Sequence, residues 1–160
     1  MKHFSIKKIA VTLPSVFLEG ANWADAYEFS PISERLDALE AARAMFDTAP
    51  PPLWVRCLNE SRNRIVGLFD IKPGQISIDE TAGGAFPLLS RSEDVVVYGF
   101  DDWHLDFRVV IQVHDADAGR AVRLTTLVRR RNSFGYGYIF LITPFHLLIV
   151  RRLLRNLSSR

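Results

Sequence analysis

The stretch HLDFRVVIQVHDADAGRAVRLTTLVRR, residues 104–130, decides the fold because it reads as two strands joined by a turn. Polar and apolar side chains alternate through its first half, as they do in a strand with one buried face. The segment DADAG (115–119) is rich in turn-forming residues, and RAVRLTTLVRR (120–130) resumes the strand pattern. An antiparallel hairpin is therefore the predicted centre of the molecule.

Further strands are predicted on the N-terminal side of this hairpin. EDVVVYGF (93–100) is a strong strand, and ANWADAYEFSP (21–31) is a short strand ended by Pro31. GQISID (74–79) and GGAFPLLS (83–90) give weaker strand signals. Together these segments predict an antiparallel sheet of about six strands.

Two short amphipathic helices are predicted after the first strand. Ser33 can cap a helix that continues to about Asp47, with an apolar side formed by Leu36, Leu39, Ala42, Met45 and Phe46. A second helix is predicted from about Leu53 to Phe69, and its stripe contains Trp54, Cys57, Leu58, Ile65, Leu68 and Phe69. Both stripes are typical of helices that pack on a core.

The last predicted element is a long helix from about Tyr136 to Leu157. It is apolar almost all round until Arg151, which is expected of a helix enclosed by other elements. Thr143-Pro144 marks either a kink or a new start. A curved antiparallel sheet that grips this helix is the simplest packing of these elements, in one α+β domain over residues 1–160. A space between sheet and helix is the usual setting for a small-molecule pocket.

Composition excludes several classes of function. The chain has 160 residues and a formal net charge of +2, which gives no argument for a nucleic-acid partner. Cys57 is the only cysteine, so no intramolecular disulfide forms, and a cytoplasmic location is expected. The four histidines lack metal-site spacing, and we expect no metal and no cofactor. FGYGYIFLITPFHLLIV (134–150) is at the short limit for a membrane span and is better explained as a buried helix.

Four segments carry a resemblance to a known family: LPSVFLEGANWADAYEF, WVRCLNESRNRIVGLF, DDWHLDFRVVIQV and TTLVRRRNSFGYGYIFLITPFHLLIVRRLL. They resemble the bacterial family catalogued as domain of unknown function 2867 over nearly the whole chain. That family looks like a member of the START/Bet v 1-like superfamily (SRPBCC, polyketide-cyclase-like), which implies the helix-grip fold. The resemblance implies no catalytic residues, and FGYGY stands here in place of a GRxY-like stretch.

The first candidate site is the row His104, Asp106 and Arg108 on one face of the predicted strand. As a catalytic site, His104 would act as a base oriented by Asp106, but no GxSxG nucleophile elbow accompanies them. The alternative is an outer sheet face with cross-strand ion pairs, for example to Arg123, or a surface that packs on a second subunit. A bulge near Trp103 would be needed to turn His104 inward.

The second candidate site lies between the sheet and the last helix. His146 shares a helix face with Ile149, Val150 and Leu153, which places it near the sheet as either a core histidine or an acid/base group. The predicted ligand-binding residues share this interior location and combine apolar rings with a few polar groups. They are Phe107, Val109, Tyr98, Thr126, Tyr138, Phe145 and His146.

Three functions are compatible with these patterns. The first is a binding domain for a hydrophobic or amphipathic small molecule. The second is an enzyme of the same fold, of lyase, cyclase or hydrolase type, that uses His146 or His104 with Tyr138. The third is an interaction module. Its contact surface would be the row His104, Asp106 and Arg108 with the arginine run Arg129–Arg131, and its partner would be another protein or, in a homodimer, a second copy of the chain.

Overall fold

A computed structural model describes residues 4–32, 36–46, 88–117 and 119–159 of the chain. The predicted helix Leu53–Phe69, the strand 74–79, Ser33 and Cys57 lie outside these described residues. The predicted α+β architecture is confirmed: a six-stranded antiparallel sheet carries a short helix and a long C-terminal helix.

The six strands follow the order β1-β2-β6-β5-β4-β3 across the sheet. Their bounds are β1 Ser5–Ile9, β2 Trp23–Ile32, β3 Leu88–Arg91, β4 Val95–Asp101, β5 Leu105–Ala116 and β6 Gly119–Arg130. The predicted hairpin is the β5–β6 pair, in which Leu105 lies opposite Arg130 and Ala116 opposite Gly119. Strand β1, for which no sequence pattern is predictive, pairs with β2 at one edge of the sheet.

The register of these strands gives the sheet two different faces. Leu105, Phe107 and Val109 lie on the face that the helices cover, together with Ile111 and Val113. Buried residues of all four central strands form the main core on this side, which confirms the predicted core face of β5.

The short helix α1, Ala38–Phe46, packs against the β4 and β5 side of this core. Its N-terminus is held by a capping box, in which Asp37 accepts from the Glu40 N–H at 2.7 Å and Glu40 accepts from the Asp37 N–H at 2.9 Å. The cap is thus Asp37, and the helix begins later than the predicted start at Ser33. Leu39, Ala42 and Met45 are buried as predicted.

The long helix α2, Ser133–Arg155, is continuous, so Thr143-Pro144 neither ends nor restarts it. It begins three residues before the predicted Tyr136 because the Asn132 side chain accepts from the Gly135 N–H at 3.1 Å. Gly135 is required there, since a Cβ at this position would collide with the His104 carbonyl oxygen. A short 3-10 helix, Asn156–Ser159, follows.

Burial of α2 is one-sided. Ile139, Val150 and Leu154 pack into the core, whereas Phe140 is 84% exposed and Leu141 64% exposed. The prediction of a helix enclosed on every side therefore holds for one face only. By length and composition the segment Ser133–Ser158 is apolar enough to cross a membrane.

The other face of the sheet is partly covered by the N-terminal segment 10–22. Leu18 packs there with Val97, Val110 and Leu127 in a second, smaller core cluster. Charged side chains of this outer face form ion pairs between neighbouring strands, such as Arg123 with Glu28 and Arg108 with Asp101. The sheet therefore has one deeply packed face under the helices and one face of mixed character.

Candidate functional site

One row of residues runs across the helix-covered face of the sheet at the same level. Asp25 of β2 lies opposite Thr126 of β6, Thr126 lies opposite Val109 of β5, and Val109 lies opposite Tyr98 of β4. All four are buried. This register brings together three predicted ligand-binding residues, Tyr98, Val109 and Thr126, and adds an acidic residue that the sequence analysis did not select.

His146 of α2 reaches down to this row. Its Nε2 lies 3.2 Å from the Asp25 Oδ1. The Trp23 ring meets the imidazole edge-on, with ring centroids 5.7 Å apart. The predicted position of His146 near the sheet is therefore confirmed, and its partner is the carboxylate of Asp25.

The Asp25–His146 pair is largely removed from water. The side chains retain 10% and 17% of their exposure, and His146 is the one side chain that pairs with Asp25 within the described ranges. With a neutral ring, the Nε2–H donates to the carboxylate, which leaves the lone pair on Nδ1. The pair can therefore accept a proton at Nδ1 or bind a donor at the free carboxylate oxygen.

Thr126 lies opposite Asp25 and brings a buried hydroxyl to this site. The residue is 1% exposed, and its Oγ1 has no hydrogen-bond partner within the described part of the chain. A buried hydroxyl without a partner costs about 1–3 kcal/mol of folding free energy. An unpartnered buried hydroxyl requires an explanation, and contact with a bound ligand is one.

Two tyrosine hydroxyls on the same face are held in their neutral form. Burial raises the pKa of Tyr27 above its ordinary value, and the negative charge of Asp25 raises it further, against an opposing effect of Arg151. Burial also raises the pKa of Tyr98, which Arg43 and Arg91 partly oppose. Both phenols therefore remain hydrogen-bond donors through the neutral pH range.

The other predicted catalytic histidine, His104, occupies a different place. It lies just before β5, is buried, and meets the rings of Phe134 and Tyr138 of α2 at centroid distances of 5.4 and 5.6 Å. Its Nδ1 is 3.4 Å from a carboxylate oxygen of Asp102. His104 is thus turned toward the start of α2 and does not continue the row of Asp106 and Arg108.

Asp106 and Arg108 form ion pairs on the outer face. Arg131 donates to Asp106 through Nε at 3.0 Å and approaches it through Nη2 at 2.8 Å, while Arg108 pairs with Asp101 at 2.7 Å. Cross-strand ion pairs are therefore present as the alternative interpretation expected, although with partners other than Arg123. These contacts account for both charges structurally.

The remaining predicted ligand-binding residues divide between the two sides of α2. Phe107 packs in the core beneath the helix, and Tyr138 packs against the ring of His104. Phe145 is 37% exposed and lies on the outer side of α2. The structure thus groups six of the seven predicted residues on the covered side and separates Phe145 from them.

A groove of about 180 Å³ lies on the opposite, outer face of the sheet. The N-terminal segment forms one wall through Val11, Ser15 and Phe17, and the sheet forms the floor through Val110 and Thr125. The groove is open to solvent, and the pair of Asp25 and His146 does not line it. Its lining side chains include no pair of acid and base groups in contact.

Metal-binding geometry is lacking in the described ranges, where no group of three or more histidine, cysteine, aspartate or glutamate side chains comes together.

The chain finds no match among curated proteins and none among solved structures. A family model does match, described as "Protein of unknown function (DUF2867)", over residues 17–153. That match covers strands β2 to β6 together with Asp25, Thr126 and His146, and the chain belongs to this DUF2867 family.

Proposed function

We propose that the protein binds an apolar small molecule that carries one hydroxyl or amine group, in a helix-grip site of the START/Bet v 1 type. The observation that carries the proposal is the Thr126 hydroxyl, which has no hydrogen-bond partner among the described residues, beside the largely covered Asp25–His146 pair. The ligand's polar group would donate to Asp25 and contact Thr126. Its apolar part would lie against Phe107, Val109 and the ring of Trp23.

The chemistry of the polar groups defines the ligand. Asp25 is an acceptor, and Thr126 both donates and accepts. A hydroxyl group can satisfy the two together, whereas a carboxylate ligand would meet the like charge of Asp25. A hydrogen bond to a charged group contributes about 1.5–3 kcal/mol, so the hydroxyl group strengthens binding about tenfold or more.

Calorimetric titration with 2-naphthol and with naphthalene tests this proposal. Both compounds present the same bicyclic ring, and only the first carries a hydroxyl. The expected Kd for 2-naphthol is on the order of 10–100 μM, at least tenfold tighter than for naphthalene. Thr126→Val is expected to weaken 2-naphthol binding and to leave naphthalene binding unchanged.

Thr125→Val is the matched control, because its side chain lies on the outer face of the same strand. Equal affinity for the two compounds, or an equal effect of Thr125→Val and Thr126→Val on 2-naphthol binding, would show that Asp25 and Thr126 do not select the ligand. Native mass spectrometry of freshly purified protein adds an independent readout, since a copurified small molecule adds its own mass.

A second candidate function is general-base catalysis, and the hydrogen bond between Asp25 and His146 favours it. Asp25 fixes the ring tautomer that leaves a basic Nδ1, which is the arrangement proton abstraction requires. The probe reaction is elimination of 5-nitrobenzisoxazole, in which the base takes the C–H proton as the ring N–O bond breaks. His146→Ala should abolish any catalysed rate, and His114→Ala should not. An unchanged rate in His146→Ala would exclude this function.

A further inference from the structure

The exposed face of α2 combines apolar and basic side chains in a single stripe. Leu141, Leu148, Arg152 and Arg155 are exposed and lie three, four or seven residues apart, so they share one side of the helix. Phe140, Leu141 and Leu148 form its apolar part, and Arg151, Arg152 and Arg155 continue the same side toward the C-terminus. We call these six residues the apolar-basic face.

The charges on this face are all of one sign. Ser133–Arg155 contains no acidic residue. The three arginines are exposed, and none of them forms an ion pair with another residue in the described segments. Trp103 is also 48% exposed and contacts the Phe134 ring in a tilted arrangement at the N-terminal end of the helix. Aromatic rings and arginines beside an apolar stripe are the side chains that favour a membrane–water interface.

We infer that the apolar-basic face docks on the surface of an anionic lipid bilayer. Phe140, Leu141 and Leu148 would enter the boundary between headgroups and acyl chains, and the arginines would contact lipid phosphates. This site lies on the opposite side of α2 from His146 and does not depend on the proposed small-molecule function.

Docking on the surface fits the structure better than crossing the bilayer. The opposite side of α2 is packed on the sheet through Ile139, Val150 and Leu154, and His146 is paired with Asp25. Crossing would remove these apolar contacts and would place an isolated histidine in hydrocarbon. A helix that remains on the sheet can still present its free face to lipid.

A second copy of the chain is a poorer partner for the same face. In a two-fold dimer the same patch meets itself, so each copy would bring only arginines as charged groups to the contact. No carboxylate on the apolar-basic face is available to pair with them. Anionic lipids supply the missing negative charge.

Flotation with vesicles tests the inference, using phosphatidylcholine alone and a 7:3 mixture of phosphatidylcholine and phosphatidylglycerol. The full chain is expected to float with the mixed vesicles at low salt and to bind the neutral vesicles much more weakly. Each arginine near the surface contributes about fivefold to partitioning, so the triple variant Arg151→Gln, Arg152→Gln, Arg155→Gln should lower it about a hundredfold. The double variant Phe140→Gln, Leu141→Gln should lower it more than tenfold.

Matched controls remove equivalent groups elsewhere on the surface. Val16→Gln with Leu89→Gln replaces two exposed apolar residues, and Lys7→Gln, Lys8→Gln, Arg91→Gln removes three charges. Both controls should retain most of the binding. All of the replaced side chains are exposed, and circular dichroism verifies that each variant is folded.

Several results would overturn the inference. They are an absence of flotation with the anionic vesicles at low salt, equal loss in the controls, and full binding by the Phe140→Gln, Leu141→Gln variant. A dimer in light scattering that this variant dissociates, without vesicle binding by the unmodified chain, would assign the face to a second copy. None of these outcomes affects the 2-naphthol titration, so the two proposals fail separately.

Discussion

Two histidine–carboxylate pairs on opposite faces of the same sheet have almost the same geometry. His146 and Asp25 are 3.2 Å apart on the helix-covered face, and His114 and Glu28 are 3.1 Å apart on the outer face. Their surroundings differ. Glu28 also pairs with Arg123 at 3.0 Å, whereas Asp25 has His146 alone among the described side chains.

The distance between a histidine and a carboxylate therefore does not by itself identify a functional pair. The charge of Glu28 stays compensated when its histidine is removed, because Arg123 remains. The Asp25 carboxylate has only the His146 ring as a partner among the described side chains, and the Thr126 hydroxyl, which has no partner in those ranges, lies opposite it on β6. Within the described residues the Thr126 hydroxyl on the covered face is therefore without a hydrogen bond, and a polar group of a ligand would supply one.

Substituting each histidine in turn is expected to give the largest difference in stability loss between the two faces of the sheet. His146→Ala leaves the buried Asp25 carboxylate without a partner, and we expect a loss of about 2–4 kcal/mol in the free energy of unfolding. His114→Ala should cost less than about 1 kcal/mol, because its pair is partly exposed and Arg123 remains. Urea unfolding at pH 7 measures both values, and equal losses would contradict the comparison.

A double-mutant cycle separates the pair interaction from other effects of substitution. For Asp25→Asn with His146→Ala, we expect a coupling free energy of about 1–3 kcal/mol. For Glu28→Gln with His114→Ala, the coupling should be below about 0.5 kcal/mol, since solvent and Arg123 screen it. A larger coupling free energy for Glu28 and His114 than for Asp25 and His146 would contradict the assignment of the functional pair to the helix-covered face.

Thr126→Val is expected to stabilise the protein by about 1 kcal/mol. It removes a buried hydroxyl that has no partner in the described part of the chain, and it keeps nearly the same shape. Thr125→Val, at the groove of the outer face, should change stability by less than about 0.5 kcal/mol. Thermal unfolding of both variants measures the difference. Destabilisation by Thr126→Val would show that its hydroxyl is already satisfied in the folded protein.

The smallest expected effect concerns the alkaline limit of stability. The pKa of Tyr27 is raised in the folded protein from its ordinary value of 10.0. Its contribution to stability is therefore fully present below pH 10 and is lost as the pH rises above that value. Tyr27→Phe should reduce the loss of stability between pH 10 and 11, whereas Tyr136→Phe, at an exposed position, should not. If the free energy of unfolding depended on pH equally in both variants, burial and Asp25 would not raise the pKa of Tyr27.

Much of the fold is predictable because its signals are local. Alternation in 104–130 predicts the central hairpin and its core face, since only a strand places every second side chain on one side. The register also follows, because the apolar set must face the helices. The strand Ser5–Ile9 lacks such a pattern, and its pairing with β2 depends on a partner distant in the chain.

The candidate site was only half predictable, because part of it depends on contacts between segments that are distant in the chain. His146, Thr126 and Tyr98 could be selected as polar residues within apolar surroundings. Asp25 lies in a strand of ordinary composition, and its importance arises from the β2–β6 register and from the position of α2 above it. The exposed face of α2 could not be predicted either, since an apolar helix has the same composition whether it is covered on one side or on all sides.

The most direct test of the small-molecule site is a nitrogen-15 NMR titration of the four histidine rings with 2-naphthol. We expect the ring nitrogens of His146 to shift in proportion to the bound fraction, those of His114 to stay unchanged, and Thr126→Val to suppress the His146 shift. Equal shifts at both rings, or a shift at His114 alone, would place the ligand elsewhere and contradict the account.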